Sequence, residues 1–201
     1  MESLSGSPTA ITGEVQGIGF DGVPATGARV AAATNLTGLS RLRRAIAGVY
    51  GHNWLTGIDY LIDYGAKQIV MAVPGTLPRS DAGHRTVLSW AEGLPALIAE
   101  VRVQSGDSFS ARFVLDSGTD HISLFGRAAE RLLVNGQSRM VLVDSGFGTR
   151  ELPAAMIILN LDGRPRPTLA VLMSDLRDRE EDGLVPTSLF RSVFVSSAMA
   201  L

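Results

Sequence analysis

Two Asp-Ser-Gly triplets, Asp116-Ser117-Gly118 and Asp144-Ser145-Gly146, are where residue type and spacing in this 201-residue chain suggest chemistry. The first closes the apolar run Phe113-Val114-Leu115 and leads into Thr119 and Asp120. A run of that kind forms a strand, the glycine lets the chain turn sharply after it, and the carboxylate is delivered at the strand's end. A carboxylate held against apolar surface is costly unless it is paired or shares a proton, so Asp116 needs a chemical or a structural reason to be there. The competing role is an Asx turn, in which Asp116 caps the loop from Ser117 to Asp120. The second triplet also follows an apolar run, Met140 to Val143, but Phe147-Gly148 behind it reads as a hairpin tip, which assigns that triplet to a loop.

Other chemistries find little support. There is no Cys, which removes a disulfide framework, a thiolate nucleophile and Cys-ligated zinc. His52, His84 and His121 are far apart and show no ligand spacing, so neither a metal nor a cofactor is expected. Gly17-Ile18-Gly19-Phe20-Asp21-Gly22 fits a dinucleotide loop, yet Pro24 and Gly27 follow where a helix would have to open. No Gly-x-Ser-x-Gly elbow and no phosphate loop occur. A net charge of −2, with Lys and Arg interspersed among acids, argues against nucleic acid as a partner. No apolar run is long enough to span a membrane. The start, Met1 to Pro8, lacks the basic and apolar segments of a signal peptide, so a soluble protein is the default. The compartment stays open, with periplasm or secretion expected if a signal peptide precedes these residues.

The elements that must position these residues are short. With 22 Gly, 9 Pro and 45% hydrophobic residues, the chain reads as a globular protein of many small elements joined by tight turns. Residues 9–30 alternate short β-type runs with glycine and predict a glycine-tipped hairpin. Leu36 to Ile46 has helical spacing, His52 to Ile58 is a short helix, and Tyr60 to Val73 is two strands around Tyr64-Gly65-Ala66. Pro74 to Gly83 reads as a linker. Beyond it, Leu97 to Val103 and Phe109 to Leu115 form a hairpin that delivers Asp116. Gly126 to Val134 is a helix with Ala128, Ala129, Leu132 and Leu133 on one side. Met140 to Val143, Met156 to Leu161 and Leu169 to Met173 are strands, and Asp175 to Asp182 is a charged loop. Leu184 to Phe190 is a turn of helix before a last strand, Val193 to Val195. Trp54 and Trp90 are packing aromatics.

The two halves contain a repeat. Gly48-Val49-Tyr50-Gly51-His52-Asn53-Trp54-Leu55 has the pattern of Gly183-Leu184-Val185-Pro186-Thr187-Ser188-Leu189-Phe190: Gly, two apolar residues, a breaker, two polar residues, two large apolar residues. Each is preceded by a glycine hairpin tip, Gly17-Ile18-Gly19 and Gly146-Phe147-Gly148, at separations of 48 − 19 = 29 and 183 − 148 = 35 residues. An apolar strand ending in Asp-Ser-Gly, a glycine-tipped hairpin, and a Gly-apolar-apolar step into a short helix together resemble the retropepsin-like aspartic proteases. Asp182 to Phe190 is similar to the closing motif of bacterial aspartyl-protease-family proteins, and Val49 to Leu55 to the retroviral form of that step.

The resemblance implies a mostly β protein of retropepsin-like β-barrel lobes with short helices: an incomplete lobe over residues 1–78 and a full one over 88–201. It implies an endopeptidase acting on peptide or protein substrates, with two carboxylates sharing a proton so that one activates water and the other protonates the carbonyl oxygen. Asp116 is then the catalytic residue, Ser117, Gly118 and Thr119 support its turn, and Gly146, Phe147 and Gly148 form a flap-like hairpin. Asp116 lies 183 − 116 = 67 residues before the closing motif, and the same spacing in the first lobe would put its acid at 48 − 67 = −19. Ala25-Thr26-Gly27, the nearest triplet, has Ala in place of the acid. The second carboxylate is thus expected from a second chain in a homodimer or from a segment before Met1. The alternatives are a catalytically inactive module that binds an extended peptide under the Gly146 hairpin, and a ligand-binding barrel.

Overall fold

In Leu97-Ile98-Ala99-Glu100-Val101-Arg102-Val103 every second side chain, from Leu97 to Val103, is buried, and that alternation builds one wall of a barrel. The computed structural model describes residues 11–15, 29–33, 51–52, 55–77, 86–134, 136, 138–145, 148–161 and 163–196. They are mostly β, as the sequence leads one to expect. The elements are β1 (Ile11–Val15), β2 (Arg29–Ala33), β3 (Asp59–Asp63), β4 (Gln68–Ala72), β5 (Ser89–Ala91), β6 (Leu94–Val103), β7 (Ser108–Asp116), β8 (Ile122–Phe125), α1 (Gly126–Val134), β9 (Arg139–Ser145), β10 (Gly148–Leu161), β11 (Arg164–Met173), β12 (Gly183–Pro186), a 3-10 turn (Thr187–Leu189) and β13 (Ser192–Val195).

Eight strands form a mixed sheet in the order β5-β6-β7-β12-β8-β11-β10-β9, and a further pairing of β6 with β10 closes six of them into a barrel. Its core holds Val101, Phe113, Ile122, Leu124, Leu159, Leu172 and Val185, none more than 1% exposed. Ala128, Ala129 and Leu132 of α1 join this core. β10 pairs with β9 over its first half and with β6 and β11 over its second, so the β9–β10 hairpin runs past the barrel. The segments Phe109 to Leu115, Met140 to Val143 and Gly126 to Val134 take the forms expected from sequence. β10 and β11 extend further than expected, and β5 and β8 were not anticipated.

Proline placement follows from strand pairing. Pro95, Pro153, Pro165, Pro167 and Pro186 all lie within strands, each where a neighbouring strand runs along one side only. A residue without an N–H is tolerated where no second neighbour asks for one.

One expectation is corrected by the topology. Residues 184–190 are not a turn of helix throughout: Gly183–Pro186 is a strand, and only Thr187–Leu189 is helical, as a 3-10 turn. β12 is inserted between β7 and β8, parallel to the first and antiparallel to the second. Pairing with β7 along all four residues, and with β8 at Gly183 and Leu184, outweighs the segment's helix-like apolar spacing. The fit is tight, because a Cβ built on Gly183 would lie 2.0 Å from the Ser123 carbonyl oxygen and 3.1 Å from the Phe113 ring.

The first half contributes the pair β1–β2 and, joined by β13, the strands β3 and β4 of a three-stranded sheet in the order β13-β3-β4. Residues 59–72 and 192–195, which the sequence assigns to different lobes, therefore share one sheet. Buried Asp59 ties this sheet to the chain just beyond β4 and just beyond β13, accepting from the Gly75 amide at 2.7 Å and the Ser196 hydroxyl at 3.0 Å. His52 links it to β5: its ring is 5.6 Å from that of Trp90, and its Nδ1 is 3.3 Å from the Tyr60 hydroxyl. The upstream copy of the repeated motif, the Gly17 tip and the Leu36 to Ile46 segment fall largely or wholly outside the described residues.

Two outcomes are expected. Gly183→Ala forces β12 off the Ser123 carbonyl and lowers stability by about 3 kcal/mol or more; an unchanged urea-unfolding midpoint would contradict the close approach. Burial holds the His52 imidazole below its usual 6.5, so the unfolded chain binds that proton more tightly. The resulting stabilisation is complete above about pH 6.5 and is lost as pH falls through the folded-state value. Thermal midpoints measured from about pH 7.5 down to about pH 5 should fall more steeply for the natural protein than for His52→Gln.

Candidate functional site

Strand alternation decides where Asp116 points. Phe113 and Leu115 pack in or against the main core, whereas Val114 faces the other way, into a small cluster with Ala91 and Ala96, backed by Leu94 and Leu184. Asp116 continues the Val114 face and ends the strand half-buried. Across the parallel pairing its partner on β12 is Pro186. The two stretches that carry the family resemblance, residues 113–119 and 183–190, are thereby neighbouring strands, although the sequence separates them by tens of residues.

The turn after the strand is organised by hydrogen bonds. The Gly118 amide donates to Asp116 Oδ1 at 2.7 Å, which is the Asx turn that competes with catalysis as the role of this acid. A Cβ on Gly118 would come within 3.1 Å of that same oxygen, so the glycine keeps the carboxylate's approach open. Ser117 and Gly118 are exposed and Thr119 is half-buried. The Thr119 hydroxyl donates to the His121 carbonyl at 3.1 Å and accepts from the His121 amide at 3.4 Å. His121 Nδ1 lies 2.8 Å from Asp120 Oδ1. Among the described residues, no second carboxylate hydrogen-bonds to Asp116, and no group of three His, Asp or Glu is arranged to hold a metal ion.

The other Asp-Ser-Gly occupies a different environment. Asp144 is exposed near the end of β9, where the Thr149 hydroxyl donates to its Oδ1 at 3.4 Å across the hairpin. Gly148 begins β10 opposite Ser145, while Gly146 and Phe147 lie outside the described residues. On the part of the hairpin that extends past the barrel, Met140 is 54% and Leu142 77% exposed, so its strands present apolar surface to whatever lies beside them.

Asp182 is a residue whose role the sequence did not reveal. Its side-chain Oδ2 accepts from the Arg112 amide at 2.8 Å, its own amide donates to the Arg112 carbonyl at 2.8 Å, and its carbonyl accepts from the Phe125 amide at 2.8 Å. It pins β7 and β8 together immediately ahead of the inserted strand. Buried Glu181 receives Arg179, whose guanidinium also stands over the Phe125 ring. The sequence marks 175–182 only as a charged loop; the place of Asp182 directly before Gly183, at the head of the repeated stretch, is the hint that it does more.

Asp182→Ala removes a carboxylate–amide bond and is expected to lower the unfolding free energy by about 2 kcal/mol in urea titration, with Asp182→Asn losing less because its amide oxygen still accepts. Comparison with protein-family models, curated proteins and solved structures finds no match to this chain.

Proposed function

We propose that this chain is an aspartic-type endopeptidase unit, with Asp116 as one carboxylate of a dyad and a second copy of the chain supplying the other. The observation that supports this is the register of Asp116 with Pro186 across β7 and β12: the Asp-Ser-Gly strand end and the stretch that resembles a closing motif lie side by side. The Gly118 amide already orients one carboxylate oxygen, leaving the group half-exposed at a strand end where a second carboxylate can approach. Two such groups brought together cannot both ionise freely, and the shared proton makes one a base towards water and the other an acid towards the peptide carbonyl.

A second function is favoured by the β9–β10 hairpin. Among the described residues β9 is the last strand of the sheet and pairs on one side only, and Met140 and Leu142 are exposed on it. An extended peptide can add to such an edge through main-chain hydrogen bonds while its side chains meet the apolar surface. In the endopeptidase this edge holds substrate; without a dyad, the same edge makes the protein a peptide-binding module.

Cleavage of a mixed peptide library, followed by mass spectrometry across an acidic to neutral pH series, tests the choice. Asp116→Asn should lower the rate by about 10³-fold or more, Asp144→Asn by less than about tenfold, and a pepstatin-type inhibitor should block it. The rate per chain should rise with protein concentration as copies pair. Undiminished cleavage by Asp116→Asn overturns the dyad, and peptide binding without cleavage at any concentration selects the binding module.

A further inference from the structure

The inserted strand is held unevenly along its length. At Gly183 and Leu184 it has β7 on one side and β8 on the other, but at Pro186 only β7 remains, and proline offers no N–H. The end paired on one side only is the one beside Asp116. A contact from the first half of the chain meets it there. The Tyr64 hydroxyl, on the β3–β4 turn, lies 2.5 Å from Oγ1 of Thr187, the residue after Pro186. Thr187 is only 4% exposed, so its hydroxyl depends on a protein partner. The Tyr64 amide donates to the Arg191 carbonyl at 3.0 Å, and the Phe190 amide donates to the Thr187 carbonyl at 3.1 Å. One residue thus grips both ends of the segment 187–191, while Arg166 Nη1 holds its middle through the Leu189 carbonyl at 2.7 Å.

We propose that Tyr64 is a positioning residue for Asp116: the β3–β4 hairpin braces Thr187, Thr187 holds the Pro186 end of β12, and that end fixes the height of the Asp116 strand end beside it. The hairpin of the first half therefore serves the site. The kinetic consequence rests on the endopeptidase function proposed above; the geometric one does not.

Tyr64→Phe keeps the ring and removes the oxygen, Thr187→Val removes the other hydroxyl, and Thr187→Ser retains it. Two readouts are taken on the full chain: peptide cleavage, and the amide resonance of Gly118, whose N–H donates to Asp116. Tyr64→Phe and Thr187→Val should each lower kcat about tenfold with KM unchanged, and the double variant should be no worse than either. Both should displace the Gly118 resonance, and Thr187→Ser should restore rate and resonance. A Gly118 resonance unmoved in Tyr64→Phe and Thr187→Val, with only a lower Tm, overturns the proposal and leaves Tyr64 a fastening between sheets. If the natural protein cleaves no peptide, the endopeptidase function fails and the Gly118 resonance alone decides the brace. If Tyr64→Phe does not fold, the contrast between Thr187→Val and Thr187→Ser decides it.

Discussion

The barrel depends on a strand of four residues being admitted between β7 and β8. Those two strands are consecutive in sequence, separated only by the Asp116 turn, and a direct pairing between them would be the short-range solution. Instead β12 arrives from 67 residues downstream and takes the space. Its entry requires a residue with no side chain where it passes the Ser123 carbonyl, which is Gly183, and a clamp that sets the spacing of the flanking strands, which is Asp182. Once β12 is in place, Val185 joins Phe113 and Leu124 in the core, and the turn after β7 follows a half-buried carboxylate at the strand's end. Site and core are consequences of the same insertion.

That insertion also explains the division of labour within the strand. Its Gly183 end is hydrogen-bonded on two sides and closely packed, so it serves stability. Its Pro186 end is bonded on one side, lies beside Asp116, and takes its support from elsewhere. The support comes from Tyr64, on a hairpin whose own sheet is completed by β13, the strand after the 3-10 turn. The chain thus passes from the barrel through the turn into the second sheet, and that sheet reaches back to hold the turn.

Local regularities were readable in advance. Alternation announced β6 and β7, helical spacing announced α1 with its buried Ala128, Ala129 and Leu132, and the glycine after Asp116-Ser117 announced the sharp turn. β8 escaped notice because Ile122-Ser123-Leu124-Phe125 is buried on both faces and therefore shows no alternation, and because α1 begins directly after it at Gly126, whose backbone is left-handed and tight against the Leu176 carbonyl. β12 is only four residues long, too short for the helix-like apolar spacing around it to separate helix from strand. Asp182 and Tyr64 escaped for another reason: a polar residue in a loop or turn looks the same whether it faces water or a strand edge tens of residues away.

The sequence by itself determined what each segment is: which runs alternate, where the chain must turn, that no thiol chemistry is available, and that an acid stands at the end of an apolar strand. Tertiary structure decided which segments meet. It put Pro186 beside Asp116, made a strand of residues 183–186, sent β13 to β3, and brought Tyr64 to Thr187. The physical reason is that periodicity and turn chemistry are properties of adjacent residues. The pairing of strand edges and the satisfaction of buried polar groups are settled only when the whole chain competes for the same neighbours.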